Sequence, residues 1–236
     1  MKTIGLLGGM SWESTLGYYR DINQGVKAAL GGLHSARIVL YSVDFHDIEA
    51  LQRSGDWDQA GRQLADAARA IQAGGADFLL ICTNTMHRVA DAVEAAVGIP
   101  LLHIADATAA RLQADGITRV GLLGTRFTME QDFYAGRLAG RFGIEVLVPP
   151  LPEREQLHRV IFDELCLGQQ REASRRMFLD IIEALGQRGA QAVILGCTEI
   201  GMLVEQSHTA MPLYDTAAIH AARAVELALA DQPAGG

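Results

Sequence analysis

Short apolar runs alternate along this chain with longer stretches in which apolar residues recur every three or four positions. The runs are bounded by glycine or polar residues and carry few charges, as strands covered on both faces do. The stretches between them hold helical stripes such as Leu64, Ala67, Ala68 and Ile71. This alternation predicts an α/β fold with mostly parallel sheets. The strands are predicted at residues 3–7, 36–43, 77–81, 100–104, 119–123, 145–148, 191–195 and 211–214.

The chain also repeats itself, with three segments recurring in the same order. IGLLGG at 4–9 returns as VGLLGT at 120–125, GGADFLLICTN at 74–84 as RGAQAVILGCT at 188–198, and PLL at 100–102 as PLY at 212–214. The offsets of 116, 114 and 112 residues differ by small length changes only. Such a repeat predicts two similar lobes with a cleft between them.

The repeat also places the lobe boundaries. We expect the first lobe to comprise residues 1–104 together with 211–236, and the second lobe to comprise residues 105–210. The last strand and helix are assigned to the first lobe because the repeat is imperfect there. The terminal segment DQPAGG, residues 231–236, is expected to be disordered.

Composition narrows the class of protein. Of the 236 residues, 49% are apolar and 20% are charged, which is ordinary for a folded domain. The net charge of −8 argues against a nucleic-acid partner, because phosphate binding needs a basic surface. No apolar run approaches 18 residues, so we expect no membrane span. Three cysteines without CxxC spacing argue against a disulfide framework or a zinc site, and the first residues do not resemble a signal peptide. We therefore expect a cytoplasmic protein.

Polar segments follow four of the predicted strands directly: GGMSWEST, CTNTMH, GTRFT and GCTEI. In open parallel sheets, ligands bind outside the carboxyl ends of the strands. When the repeat is aligned on Gly75 and Gly189, Thr83 lies opposite Cys197. The sequence therefore predicts a hydroxyl and a thiol at equivalent strand ends of the two lobes.

The context of Cys197 predicts a reactive thiol. A helix is expected to begin near Glu199, and the first backbone N–H groups of a helix favour an anion. The same environment lowers the pKa of a thiol and enriches the thiolate. The alternative is that Cys197 is a small buried core residue.

The segments GLLGGMSWEST, CTNTMH and GCTEI, in this order and spacing, resemble the cofactor-independent aspartate/glutamate racemase family over nearly the whole chain. The resemblance implies two Rossmann-like lobes related by pseudo-symmetry, with the active site in the cleft and one cysteine from each lobe. It implies inversion of an acidic amino acid at Cα without pyridoxal phosphate or metal. One thiolate takes the proton from one face, and the other thiol gives a proton to the opposite face.

This chain departs from the family pattern at two positions. The family motif is commonly C-N-T-A-H, whereas Thr83 stands at the cysteine position here and Cys82 precedes it. A one-residue step along a strand reverses the face, so Cys82 is expected to point into the core; if the strand has already ended, Cys82 remains the alternative to Thr83. A threonine hydroxyl is a poor base but can donate a proton or relay one through water. Relatives often carry a substrate-binding lysine near Cys166, which is expected here to be a half-buried helical thiol.

Candidate substrate-binding residues come from the same loops. Asn84, Thr85 and Thr198 can donate to a substrate carboxylate or cap helices, and Glu199 can bind the substrate ammonium or simply begin a helix. Relatives place a carboxylate-binding arginine near the second strand, which makes Gln52 or Arg53 a candidate against an ordinary surface role. His87 is expected to orient the site or to pack in the core. The substrate-binding set is Met10, Gln52, Arg53, Asn84, Thr85, Thr198 and Glu199.

These observations predict an amino-acid racemase that inverts aspartate, glutamate or both, with Cys197 serving one face and Thr83 the other. No cofactor is expected, and the expected partner is a small acidic amino acid, with a homodimer left open. Two alternatives remain. One is a single-cysteine decarboxylase or isomerase of the same superfamily. The other is a non-catalytic two-lobed binding protein, which would not need a lowered thiol pKa.

Overall fold

The computed structural model describes residues 1–230, and the predicted disordered tail lies outside them. The chain forms two compact units. The first comprises Met1–Ile104 and the chain from His220 onward, and the second comprises Ala105–Ile219. The predicted return to the first lobe at residue 211 is therefore too early. The segment from 211 stays in the second unit because its strand pairs with that unit's sheet. No helix within residues 1–230 is both long enough and apolar enough to cross a membrane.

The first unit is built on a three-stranded parallel sheet in the order β2-β1-β3. Its strands are β1 Ile4–Gly8, β2 Ile38–Ser42 and β3 Phe78–Ile81. Its helices are α1 Trp12–Leu30, α2 Phe45–Ser54, α3 Trp57–Ala73 and α4 Ala90–Glu94, with a 3-10 helix at Thr85–Val89. Helix α5, Ile104–Ala114, then leads into the second unit.

The second unit is built on a four-stranded parallel sheet in the order β5-β4-β6-β7. Its strands are β4 Arg119–Gly124, β5 Glu145–Leu147, β6 Ala192–Gly196 and β7 Leu213–Asp215. Its helices are α6 Arg126–Glu130, α7 Asp132–Phe142, α8 Leu151–Asp163, α9 Glu172–Gln187 and α10 Ile200–Leu203, with 3-10 helices at Leu165–Leu167 and Gln206–His208. Helix α11, Thr216–Leu229, begins in this unit and returns the chain to the first.

The predicted α/β class with parallel sheets is confirmed, and the sequence repeat is preserved in the strand register. Leu7 pairs with Ile81 in the first sheet, and the repeat-related residues Leu123 and Leu195 pair in the second. The anchoring glycines also share one backbone conformation, with φ of 90° at Gly75 and 95° at Gly189. This left-handed conformation favours glycine, which explains why both copies keep it before the strand.

The predicted strand at residues 100–104 is wrong. The segment forms a single bridge between Leu79 and Leu101, and helix α5 begins at Ile104. Pro100 contributes only its carbonyl, which accepts from the N–H of Leu79, because proline has no backbone N–H to extend a ladder. The repeat-related pair Val193 and Leu213 lies inside the β6-β7 ladder.

Strand burial follows the position of each strand in its sheet. Strands β1, β3 and β6 are buried along their full length. Strand β2 lies at a sheet edge, and Leu40 and Tyr41 are each 44% exposed. The prediction that every strand is covered on both faces is therefore wrong for β2.

Helices pack closely on the sheets because glycines replace side chains at equivalent strand positions. A Cβ on Gly5 of β1 would lie 2.5 Å from Cγ2 of Ile71 in α3. A Cβ on Gly121 of β4 would lie 2.9 Å from Cδ1 of Leu185 in α9. The buried face of α3 then joins Leu7, Leu79 and Ile81 in an apolar cluster of the first unit.

His220 anchors the returning helix α11 in the first unit. Its Nε2 lies 2.7 Å from the carbonyl of Leu102 and its Nδ1 lies 2.9 Å from the hydroxyl of Tyr18. A carbonyl can only accept, so Nε2 carries the proton and Nδ1 accepts from the tyrosine. Burial lowers the pKa of His220 from 6.5 to about 4, because a buried imidazolium loses its hydration.

We expect this buried imidazole to make the protein sensitive to acid. Because its folded-state pKa is depressed, its stabilising contribution is complete above pH 6.5 and is lost as the pH falls towards about 4. The loss amounts to roughly 3 kcal/mol of unfolding free energy. Urea unfolding at a series of pH values should show this slope in the wild type and lose it in His220→Gln, which keeps a donor near Nε2 but cannot titrate. His34→Gln, which changes an exposed imidazole, should keep the slope; a slope retained in His220→Gln would contradict the assignment.

Candidate active site

The loop after β3 buries its polar residues at the carboxyl end of the first sheet. Thr83 is 8% exposed, and Asn84 and Thr85 are buried beside it. Strand β3 ends at Ile81, so Thr83 lies in a bend beyond the strand, before the 3-10 helix begins. Thr83 thereby lies at the edge of the sheet where a ligand of a parallel sheet is expected.

Cys82, the alternative to Thr83, is fully enclosed by the first unit. Its backbone N–H donates to the carbonyl of Leu7 at 2.9 Å, which continues the strand pairing by one residue. Its side chain has no exposed surface, and burial raises the pKa of its thiol strongly. A thiol in this environment stays protonated and is a poor nucleophile or base.

The loop after β1 holds Met10 away from solvent. Met10 is buried and packs in the apolar cluster that contains Leu7 and Ile81. The next turn is fixed by Thr15, whose hydroxyl accepts from the N–H of Gly9 at 2.8 Å. Gly9 has φ of 91°, and a Cβ there would collide with the carbonyl oxygen of Val43, so this tight turn requires glycine.

Gln52 and Arg53 in α2 have different environments. Gln52 is 4% exposed; its Nε2 donates to the sulfur of Met86 at 3.0 Å, and its buried Oε1 has no hydrogen-bond partner among residues 1–230. The side chain of Arg53 is 72% exposed and pairs with Glu49 at 3.6 Å. A buried amide oxygen without a partner requires an explanation, and a bound ligand would supply one. The structure thus brings Gln52, and not Arg53, into the interior beside the loop after β3.

The loop after β6 carries a thiol and a carboxylate in direct contact. Cys197 is 7% exposed, and its Sγ donates to Oε2 of Glu199 at 3.0 Å. The hydroxyl of Thr198 donates to the same oxygen at 2.8 Å. Glu199 is itself buried. The structure therefore brings the three predicted residues of this loop together, and it makes Glu199 the partner of the thiol.

The expected lowering of the Cys197 pKa is wrong, because the pKa of this thiol is raised well above its ordinary value. Burial is the largest cause, and the charge of Glu199 is the next. Helix α10 has only four residues, Ile200–Leu203, so it offers little dipole to offset them. Cys197 is consequently a protonated thiol in the resting site.

Cys166, which the sequence predicted only as a half-buried helical thiol, lies close enough to Cys197 to affect its pKa. It is half-buried in the 3-10 helix Leu165–Leu167, and a charge on it would contribute to the raised pKa of Cys197. Its thiol therefore lies within electrostatic range of Cys197.

A thiol that donates to a carboxylate can pass its proton to that carboxylate and so become a base. The sequence analysis predicted both residues, but it gave Glu199 the substrate ammonium or the start of a helix as its role and not contact with the thiol. Within the part of the chain that the structure describes, no group of three or more His, Cys, Asp or Glu side chains could hold a metal ion.

Comparison with known proteins adds to this geometry. A sequence model of the Asp/Glu/Hydantoin racemase family matches residues 7–224. The chain belongs to this family. It is 24% identical over 234 residues to a Bacillus subtilis (strain 168) protein named broad specificity amino-acid racemase RacX, covering 97% of this chain and 99% of that protein.

Solved structures of the family agree with this membership. A Yersinia pestis protein assigned provisionally as an Asp/Glu racemase is 56% identical, with a TM-score of 0.90 over 97% of this chain and 100% of that one. An aspartate racemase homologue from Pyrococcus horikoshii OT3 is 34% identical, with a TM-score of 0.83 over 97% of this chain and 99% of that one. An arylmalonate decarboxylase, 15% identical with a TM-score of 0.52, shares the fold. This chain is therefore a member of a family of racemases.

Proposed function

We propose that this family member inverts the Cα of aspartate, glutamate or both by two-base proton transfer without pyridoxal phosphate. The observation that carries the proposal is the buried Cys197–Glu199 pair at the carboxyl end of β6. Thr83 occupies the repeat-related position after β3, so each unit supplies one proton-transfer group from the same point of its sheet. The family membership supports Cα chemistry on an amino acid.

Substrate binding would activate Cys197. The resting thiol has a raised pKa in part because Glu199 is negatively charged. A substrate ammonium group placed against Glu199 would offset that charge and lower the thiol pKa, and the thiol proton would leave to water. The thiolate would then form when substrate is present, which avoids holding a reactive anion in the empty site.

The two faces then exchange one proton each. The Cys197 thiolate takes the Cα proton from one face, and the electron pair remains on Cα, spread into the substrate carboxylate. The hydroxyl of Thr83 gives its proton to the opposite face and recovers one from water, and the Cys197 thiol releases the proton that it took to the resulting hydroxide. In the reverse direction the same groups act in the opposite order.

Donors around the α-carboxylate would stabilise the carbanion. Asn84 and Thr85 in the first unit and Thr198 in the second are the proposed donors. Gln52 is the proposed polar contact from α2, because its buried Oε1 lacks a partner within residues 1–230. Met10 would bound the site with its apolar side chain, while Arg53 would reach a substrate only by leaving Glu49.

Incubation with pure L and D enantiomers in heavy water tests the proposed function. Aspartate and glutamate should each be examined, alongside a panel of neutral and basic amino acids. NMR reports deuterium at Cα, and chiral chromatography reports inversion. Inversion of an acidic amino acid with deuterium incorporation is expected. Exchange on one face without inversion would favour the single-cysteine alternative, and binding without exchange would favour the binding protein.

We expect Glu199→Gln to make Cys197 more reactive and the enzyme less active. Loss of the negative charge removes one cause of the raised thiol pKa, so alkylation at Cys197 should move to lower pH. Turnover should fall at least about tenfold, because the neutral amide cannot pair with the substrate ammonium group. Iodoacetamide labelling followed by peptide mass spectrometry, with parallel racemisation rates, measures both.

Glu183→Gln is the matched control, since Glu183 is an exposed carboxylate in α9. It should change neither quantity. Slower alkylation of Cys197 in Glu199→Gln, or unchanged turnover, would show that the carboxylate does not control the thiol.

A further inference from the structure

His87 fastens the backbone of Thr83 to the beginning of α5. Its Nδ1 lies 2.8 Å from the carbonyl oxygen of Thr83, and its Nε2 accepts from the backbone N–H of Ile104 at 3.1 Å. The imidazole is buried and packs against the ring of His103 at an interplanar angle of 58°, with ring centroids 4.4 Å apart. One side chain thus ties the end of the β3 loop to the first residue of a helix.

These two contacts define the protonation state of the imidazole. The N–H of Ile104 can only donate, so Nε2 is unprotonated. The carbonyl of Thr83 can only accept, so Nδ1 carries the hydrogen. His87 is therefore held as one neutral tautomer. Moving the proton from Nδ1 to Nε2 would break both hydrogen bonds.

In the second unit, the carbonyl at the repeat-related position accepts from a backbone N–H and not from a side chain. The repeat places Thr83 at the position of Cys197, whose carbonyl accepts from the backbone N–H of Ile200 at 3.1 Å. The two proton-transfer residues thus both have their carbonyls fixed just beyond the strand end. In the first unit the donor is a side chain, so the orientation of Thr83 can be changed by a single substitution.

We propose that His87 is a positioning residue for Thr83: its Nδ1–H fixes the Thr83 carbonyl, and thereby the direction in which the Thr83 hydroxyl meets the substrate. The inference rests on the proposed function, in which Thr83 serves one face of Cα. The carbonyl fixes ψ of Thr83, and an error of about 1 Å in a reacting group is enough to slow proton transfer by a large factor. His87 acts through Thr83 and does not itself exchange a proton with the substrate.

Two substitutions separate the two contacts of His87. The side-chain nitrogen of asparagine is as many bonds from Cβ as Nδ1, so His87→Asn keeps a donor for Thr83. The terminal amide of glutamine matches the distance of Nε2, so His87→Gln keeps an acceptor for Ile104 and loses the Thr83 bond. Both variants introduce a buried amide, which makes them a matched pair for stability.

The test follows the enantiomer that presents its proton to Cys197, in heavy water, and compares exchange with retention against inversion. In His87→Gln the ratio of exchange to inversion should rise at least about tenfold over wild type, as in Thr83→Ala, because Cys197 still removes the proton while the other face is served poorly. In His87→Asn the ratio should stay within about twofold of wild type. Thermal unfolding of both variants checks that they remain folded.

Tyr18→Phe is the structural control, because it removes a buried hydroxyl contact to His220 in the same unit. It should leave the ratio unchanged. Equal ratios in His87→Gln, His87→Asn and wild type, or a proportional loss of exchange and inversion in both variants, would overturn the positioning role while wild-type racemisation still stands. A wild type that neither exchanges nor inverts any amino acid would instead refute the proposed function.

Discussion

We expect Cys197→Ala to lose at least about a hundredfold in racemisation rate, equivalent to roughly 3 kcal/mol of transition-state stabilisation. The thiol is the group that donates to Glu199, and alanine has no proton-transfer group to replace it. For the enantiomer that presents its proton to Cys197, exchange at Cα should be lost together with inversion, because both begin with removal of that proton by this thiol. Initial rates by chiral chromatography and deuterium incorporation by NMR measure the effect in both directions.

Cys82→Ala is the control for this expectation. Cys82 has no exposed surface, whereas Cys197 is 7% exposed, so Cys82 should contribute packing rather than chemistry. Its removal should keep most of the activity and cost on the order of 1 kcal/mol in unfolding free energy, as a small cavity does. If Cys82→Ala were folded and as inactive as Cys197→Ala, the second base would be Cys82, and the repeat alignment would have to be replaced.

The α/β fold and its internal repeat could be predicted from the sequence because short apolar runs bounded by glycine are typical of buried parallel strands. Gly75 and Gly189 precede strands of the same register, and their left-handed backbone explains their recurrence. The strand predicted at 100–104 was wrong because it was inferred from apolar residues alone. Pro100 cannot donate a backbone hydrogen bond, and α5 already begins at Ile104. The lobe boundary predicted at residue 211 was wrong because β7 pairs with β6, and this long-range pairing is not encoded in the local sequence pattern.

The site was predictable in position but not in electrostatics. The polar loops after β3 and β6 follow from strand ends, whereas the pKa of Cys197 depends on burial and on the turn of Glu199 toward the sulfur. A helix start near Glu199 was foreseen, but not that the helix has four residues. The choice of Gln52 over Arg53 was available in principle, because Gln52 lies four residues after the buried Ile48 and so on the same helical face.

Thr83→Ala should suppress inversion at least about a hundredfold while leaving exchange on the face served by Cys197. General acid–base groups contribute factors of about 10² to 10⁴, and the carbanion formed by Cys197 has no donor on the other side without the hydroxyl. The carbanion would be reprotonated by Cys197 after its thiol has exchanged with solvent, so deuterium accumulates with retention. Wild-type inversion rates in folded Thr83→Ala would remove Thr83 from the mechanism.

Thr83→Cys tests the same residue by supplying a second thiol, and thermodynamics limits how kcat and KM can change. Two enantiomers have equal free energy in water, so kcat/KM must be the same in both directions for any pair of catalytic groups. A thiolate forms far more readily than a threonine alkoxide, so the wild type should show a higher kcat from the enantiomer facing Cys197, with a proportionally higher KM. The slow direction should also depend more steeply on pH.

Thr83→Cys should raise kcat in that slow direction and bring the two pH profiles together. Initial rates on both pure enantiomers across a pH series measure this. Equal kcat values and overlapping profiles already in the wild type would mean that equivalent bases serve the two faces, which a cysteine and a threonine cannot be.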